Sequence, residues 1–336
     1  MSWPPRARSP RTRNLAALIT AAAVMLPLTA CSSTPEPKKP AAKAGAGFPY
    51  TVTNCGVKTT FDAPPKRAVT MNQHVTEVML ELGLAKSLAG TAYLDDKVLP
   101  EYEQAYEATP VVAKEYPSYE KLLAADPDFV YGGYASAFTA SEGRSREALK
   151  KSGIESRLNV ENCDKGKTTL DDLYNEVRET GRTFGVGDRA ERWITVAKAT
   201  DAATTKKLKD LKPVSVLVYD SGDKTAFTAG GKGIGNEIIT RAGGANVFAD
   251  LNKAFGDASW ENVVDRKPEA IVIYDYGSTT VAQKKKRLLE DPALADVPAI
   301  KNKRFAVVPL SDMVLGVRVP AAIEKLAQQL HPDLKK

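Results

Sequence analysis

Ser118-Tyr119-Glu120-Lys121-Leu122-Leu123-Ala124-Ala125-Asp126-Pro127-Asp128-Phe129-Val130 returns, 141 residues on, as Ser259-Trp260-Glu261-Asn262-Val263-Val264-Asp265-Arg266-Lys267-Pro268-Glu269-Ala270-Ile271. In each copy a Ser stands where a helix cap is needed, and an aromatic and a Glu fill the first turn. Two aliphatics then pack, and a Pro-acid pair turns the chain into a buried apolar run. One supersecondary unit used twice predicts two similar lobes. Working outward, Ala68–Met71, Phe129–Tyr131, Val214–Tyr219, Ala270–Tyr274 and Phe305–Val308 are short and rich in β-branched or aromatic residues, as buried parallel strands are. Between them Val75, Val78, Met79 and Leu82 describe one apolar helix face, and Ile234, Ile238, Ile239 and Ala242 another. Strands alternating with helices predict two Rossmann-like α/β lobes with parallel sheets.

Between the repeats lies a stretch without strand signals, 168–211. Its first part carries Leu170, Leu173, Tyr174 and Val177 and ends in Gly185-Val186-Gly187. Its second part, from Asp188 to Leu211, has no Gly or Pro. At 1.5 Å per residue that helix is on the order of 36 Å long, enough to join the lobes as a strut. The folded part therefore divides into an N-terminal lobe (48–167), a helical connection (168–211) and a C-terminal lobe (212–336), with a ligand cleft expected between the lobes.

The 336 residues are 43% hydrophobic and 26% charged, a globular balance. Two histidines and three cysteines exclude His-rich and Cys₄ metal sites. The formal charge of +6 comes from 47 basic and 41 acidic side chains. Four of those basic residues, Arg6, Arg8, Arg11 and Arg13, precede a 14-residue apolar stretch, Leu15 to Leu28. That order is the n-region and h-region of a secretory signal. Leu28-Thr29-Ala30-Cys31 follows at once and resembles the lipobox of bacterial lipoproteins. The resemblance implies removal of residues 1–30 and an acyl anchor, palmitate-bearing, on Cys31. Residues 32–47 hold no large apolar side chain, so 31–47 read as a flexible lipidated tether. Without the signal and tether, 40 basic residues face 40 acidic ones, which argues against a nucleic-acid partner. Export permits disulfides, and with Cys31 lipidated, Cys55 and Cys163 remain as a pair, two buried thiols being the alternative. Such a bridge is worth roughly 4–5 kcal/mol in the chain-entropy model.

Lipobox, tether, two α/β lobes, long connecting helix and Pro-Asp strand lead-in together resemble the substrate-binding proteins of bacterial ABC importers for ferric siderophores, haem and cobalamin. The resemblance runs from about Val52 to Leu330, in the order FDAPPKRAVT, TEVMLELGL, YEKLLAADPDFV, TAGGKGIGNEIITRAGGANVF, SWENVVDRKPEAIVI and KNKRFAVVPL. It implies a small hinge between lobes and docking of one acid per lobe against permease arginines. Those acids map onto Glu120 and Glu261, the pair that the repeat also selects. Their alternative role is to complement a helix N-terminus, worth about 0.3–1 kcal/mol. In family order the cleft is lined by Asn72, Gln73 and His74, by Tyr93, by Tyr131, Tyr134 and Phe138, by Phe227, Gly231 and Lys232, by Tyr274 and Tyr276, and by Ser311 through Arg318. Aromatic area, open glycines and the fork of Arg318 suit a large, flat, partly anionic ligand.

The ligand expected on this basis is a ferric-siderophore-type chelate, bound with no resident cofactor or metal. Cobalamin, haem or a deazaflavin cofactor precursor are the alternatives, the last from the wording of TNCGVKTTFDAPPKRAVT and SWENVVDRKP. Capture of bare ferric ion by His74 with a tyrosine is a further route. Enzyme motifs find no support: Gly230–Gly235 fits neither Gly-x-Gly-x-x-Gly nor a P-loop, and no Gly-x-Ser-x-Gly elbow occurs. A loop of that kind at a helix start suits an anionic group. The expected protein is a monomer at the outer face of the cytoplasmic membrane, partnered by ABC permease and ATPase subunits. An extracytoplasmic enzyme or adhesin on the same scaffold is the reading of another class.

Overall fold

The computed structural model describes residues 47–163 and 166–335. The expected signal peptide, the lipidated Cys31 and all of the tether but its last residue lie outside the described residues.

A hairpin opens the N-terminal lobe, β1 (Tyr50–Asn54) against β2 (Val57–Phe61). Cys55 and Gly56, both at positive φ, make its two-residue turn. Then follow β3 (Ala68–Met71), α1 (Gln73–Glu81), β4 (Leu88–Ala92), α2 (Glu103–Glu107), β5 (Val111–Ala113), α3 (Tyr119–Ala124), β6 (Phe129–Gly132), α4 (Arg146–Lys151) and β7 (Glu155–Leu158). The sheet is parallel, in the order β5-β4-β3-β6-β7. Helix α5 (Leu170–Thr183) buries Leu170, Leu173, Tyr174 and Val177, and Gly185 at φ 69° separates it from α6 (Gly187–Leu208). The 22 residues of α6 span about 33 Å and join the lobes, starting one residue before and stopping three residues short of the expected limits.

The C-terminal lobe contains β8 (Val214–Tyr219), β9 (Thr225–Ala229), α7 (Ile234–Arg241), β10 (Gly244–Asn246), β11 (Phe255–Ser259), α8 (Trp260–Arg266), β12 (Ala270–Asp275), α9 (Val281–Glu290), α10 (Pro298–Lys301), β13 (Phe305–Pro309) and α11 (Val319–Leu330). Its parallel sheet has the order β10-β8-β12-β13, and β9 pairs with β11 antiparallel beside it. One buried cluster runs through α1, α5, α6, α7 and α11, with Val78, Met79, Leu173, Ile194, Ile238 and Leu326 among its members.

The repeat is structural in detail. Ser118 accepts from the Lys121 N–H ahead of α3, and Ser259 from the Asn262 N–H ahead of α8. The acid after each Pro ties the incoming strand to the first strand of its sheet. Asp128 accepts from the Lys66 and Arg67 N–H groups at 2.7 and 2.9 Å, and Glu269 from the Ser215 N–H at 2.9 Å. The disulfide Cys55–Cys163 is formed, bridging residues 108 apart, and fastens the hairpin turn to the segment after β7.

Candidate functional site: the cleft between the lobes

In each sheet the chain leaves the central strand to one side and later returns on the other, so loops diverge at the carboxyl ends and open a crevice. In the N-terminal lobe this happens between β3 and β6, followed by Asn72–His74 and Gly133–Tyr134; in the C-terminal lobe it happens between β8 and β12, followed by Asp220 and Tyr276. The two crevices supply the cleft.

Two non-glycine residues on the N-terminal wall hold positive φ, Asn72 at 95° and Tyr93 at 55°. Such conformations are costly and persist where neighbours hold them. Here Tyr116 donates its hydroxyl to Asn72 Oδ1 at 2.8 Å, and the Gln73 N–H donates to Asp95 at 3.0 Å. Gln73 also donates to the Lys97 carbonyl and accepts from the Asp96 N–H, at 2.7 and 2.8 Å, which pins the loop after β4. Tyr93 and Tyr116 lie with ring centroids 4.6 Å apart, and His74 meets Tyr134 edge-on at 5.0 Å. Burial lowers the His74 pKa to about 4, against the opposing pull of a Gly133 backbone hydrogen bond, so its imidazole is neutral. Burial also raises Asp95, over the opposing hydrogen bonds from Gln73 and Asn72. Tyr276 of the C-terminal lobe, in the loop after β12, has its pKa raised by burial and then by the charge of Asp95. The gap closes to a cavity of about 10 Å³, lined by Gln73, His74, Asp95, Tyr134, Leu310, Ser311 and Val314.

The lobes are tied across this gap. Ser311 donates to Asp96 at 3.0 Å. Arg318, at 7% exposure, grips Glu77 with two hydrogen bonds of 2.6 and 2.7 Å and donates to the Lys97 carbonyl at 2.5 Å. The guanidinium expected to meet a ligand is thus spent on a buried interlobe ion pair. Other expected site residues also lie elsewhere. Tyr131 is fully buried and donates to Glu176, which pairs with Arg157, inside the N-terminal lobe. Phe138 packs in that lobe's second core, with the Arg146 guanidinium 5.9 Å from its ring centroid. Phe227 sits in β9 stacked on Phe255 at 6.0 Å. Tyr274 is fully buried beneath the cleft, Gly231 lies against the Ala249 backbone, and Lys232 gives its carbonyl to the Thr168 N–H at 2.8 Å.

Asn72, Gln73, His74, Tyr93, Tyr134 and Tyr276, with Ser311 and Val314 of the expected 311–318 segment, do come together at the cleft. Asp95 and Tyr116 were not expected. The signal for Asp95 was available: Leu88–Ala92 is a strand, and its carboxyl-end loop carries Tyr93 and Asp95. Among the described residues no group of three or more His, Cys, Asp or Glu is placed to hold a metal ion. Glu120 and Glu261 are exposed in the first turns of α3 and α8, each held below the usual carboxylate range by its own backbone N–H and by its capping serine.

The profile of a family described as periplasmic binding protein matches residues 69–310. This chain belongs to that family. As a periplasmic binding protein it is 32% identical to one from Veillonella parvula of known structure, with a TM-score of 0.78 over 84% of this chain and 97% of that one. A structure described as an ABC-type Fe3+-hydroxamate transport system from Saccharomonospora viridis is 25% identical, with a TM-score of 0.73 over 84% of this chain and 99% of that one. The vitamin B12-binding protein of Vibrio campbellii is 25% identical over 213 residues, 62% of this chain and 71% of its own. This periplasmic binding protein is an extracytoplasmic, non-catalytic substrate-binding protein, and membership of the family implies partnership with ABC permease and ATPase components.

Proposed function

We propose that this periplasmic binding protein captures a cobalamin-type corrinoid and delivers it to its permease, in place of the ferric siderophore expected from sequence. The character of the cleft wall carries this reading. It is aromatic and acidic, with Tyr93, Tyr116, Tyr134 and Tyr276 around Asp95, while Arg318 is already neutralised by Glu77. A strongly anionic siderophore needs unpaired positive charge at its site. An amide-rich corrin offers flat faces for tyrosines and little negative charge. Several relatives are vitamin B12-binding proteins, which supports the same class. The cavity of about 10 Å³ left in the gap is far below the roughly 300–1,000 Å³ of drug-sized pockets, so the lobes must part to admit a macrocycle. Haem is the second reading, favoured by the neutral imidazole of His74 as a metal ligand. In the same reading Cys31 bears the lipid, residues 31–47 form the tether, lobes 48–167 and 212–336 flank the connection 168–211, and Glu120 and Glu261 dock the monomeric receptor to the permease.

The test is titration of the purified chain with cyanocobalamin, haemin, a ferric hydroxamate and a deazaflavin precursor, followed by tyrosine and tryptophan fluorescence and by calorimetry. Saturable one-to-one binding of cyanocobalamin is expected. Binding of the ferric hydroxamate with none of cyanocobalamin would return the siderophore reading.

A further inference from the structure

Helix α1 starts at the cleft in the N-terminal lobe, and α7 starts beside the 311–318 segment in the C-terminal lobe. In open α/β sheets such helix starts draw the anionic groups of ligands, because free N–H groups and the helix dipole favour negative charge. In this chain both are filled by the protein's own carboxylates. Asp95 accepts from the N–H of Gln73, the first residue of α1, at 3.0 Å. Glu161 accepts from the N–H of Ile234, the first residue of α7, at 2.8 Å, and from the Leu315 N–H at 3.0 Å. Arg318 is engaged in the same way, by Glu77 and Asp312. The positions that would attract a carboxylate or phosphate are thus closed in both lobes.

What remains at the gap has the opposite sign. Asp95 lines it, and among the described residues no lysine or arginine forms an ion pair with that carboxylate. Asn72 Nδ2 stands 3.4 Å from each of its oxygens, beyond the usual range of an N–H···O bond, so Asp95 keeps acceptor capacity for a further donor. Asp96, next in the chain, is met by a neutral donor, the Ser311 hydroxyl at 3.0 Å. The rings of Tyr93, Tyr116 and Tyr134 add faces that carry the negative side of the π quadrupole. We infer that Asp95 sets the specificity of this cleft by charge: it takes a cationic or amide N–H group of the ligand and turns away a ligand that brings a carboxylate or phosphate to the same place. The inference rests on the cleft being the ligand site and deepens the corrinoid reading, since carboxamides edge a corrin whereas propionates edge a haem.

The experiment compares wild type with Asp95→Asn, which keeps the shape and an acceptor for the Gln73 N–H and removes the charge. Purified full chains are titrated with probe pairs that differ in charge at the periphery: cyanocobalamin and its monocarboxylic acids, haemin bisamide and haemin, ferrioxamine B and its N-succinyl derivative. Wild type should favour the amide or ammonium member of the pair it binds by about ten- to hundredfold, the worth of a charged hydrogen bond, and Asp95→Asn should bring that ratio near unity. The same ratio in both chains overturns the inference. A second readout needs no ligand. Leu310→Cys puts a thiol on the lining of the gap, to be labelled by a cationic trimethylammonioethyl and an anionic sulfonatoethyl methanethiosulfonate, with the parent chain as background for Cys31. Asp95→Asn should lower the cation-to-anion rate ratio by about three- to tenfold, and an unmoved ratio overturns the inference. Should Asp95→Asn not fold, Asp95→Ser, another neutral cap, carries both comparisons. A chain with the charge-dependent labelling but no affinity for cyanocobalamin keeps this inference and loses the corrinoid reading; one that binds cyanocobalamin and its acids alike, with or without the Asp95 charge, does the reverse.

Discussion

His74 is walled in by two glycines: a Cβ at Gly133 would collide with its ring, and one at Gly316, from the opposite lobe, would stand 3.1 Å from its own Cβ. That enclosure is why the folded chain resists protonating it. With a folded pKa of about 4 against 6.5 when exposed, the unfolded chain binds a proton that the folded chain refuses between those values. Stability from this residue is complete above pH 6.5 and falls as pH drops towards 4, by up to about 3 kcal/mol. Asp95, whose raised pKa acts with the opposite sign, is common to wild type and variant and cancels in their comparison. Urea unfolding at pH 7.5 and 4.5 should show His74→Gln losing much of the wild-type pH dependence; an unchanged dependence would reject the burial account. At this scale sequence reads position better than partner. His74 is identifiable because it follows a predicted strand, whereas the fate of Arg318 depends on Glu77, 241 residues away.

The loop after β12 is held from beneath by one side chain of α9. Lys284, at 2% exposure, donates to the carbonyls of Tyr274 and Tyr276 at 2.6 and 3.3 Å and stands 3.8 Å from Asp220 at the end of β8. It therefore links both strands of the C-terminal crevice. Lys284→Met should leave those acceptors unpaired and cost about 2–3 kcal/mol in urea unfolding, with a weakened hold on Tyr276 and hence on ligand. A variant as stable as wild type would show that water replaces the ammonium without loss. Elements were legible where they were long or strongly apolar: the five expected strands appear within one residue of their limits. Strands β4, β9 and β11 were missed because alanine, glycine, threonine and serine dominate them, and such residues pack as strands only when a neighbour supplies the ladder. The Pro-acid signature was legible, but its purpose, carboxylates capping backbone N–H groups just before β3 and within β8, shows only in three dimensions.

Glu120 and Glu261 occupy equivalent first turns on the two lobes, exposed and fully ionised, as a two-point electrostatic contact requires. Glu120→Lys/Glu261→Lys should bind ligand in vitro like wild type yet lower uptake by cells at least about tenfold, because the like charge would face permease arginines. Unchanged uptake would remove the docking role. Local chemistry, acting over a few residues through helix and strand periodicity, caps and turn residues, let sequence alone determine the α/β class, the duplicated unit and the connecting helix, while the Cys55–Cys163 pair followed from counting the cysteines left once Cys31 is set aside. Tertiary structure decided which polar groups are still free for a ligand. Arg318 closes on Glu77, Tyr131 on Glu176, and Glu161 on the start of α7. Buried charges and hydroxyls must find partners wherever the fold places them, and those partners lie 45 to 241 residues apart, beyond the reach of any local pattern.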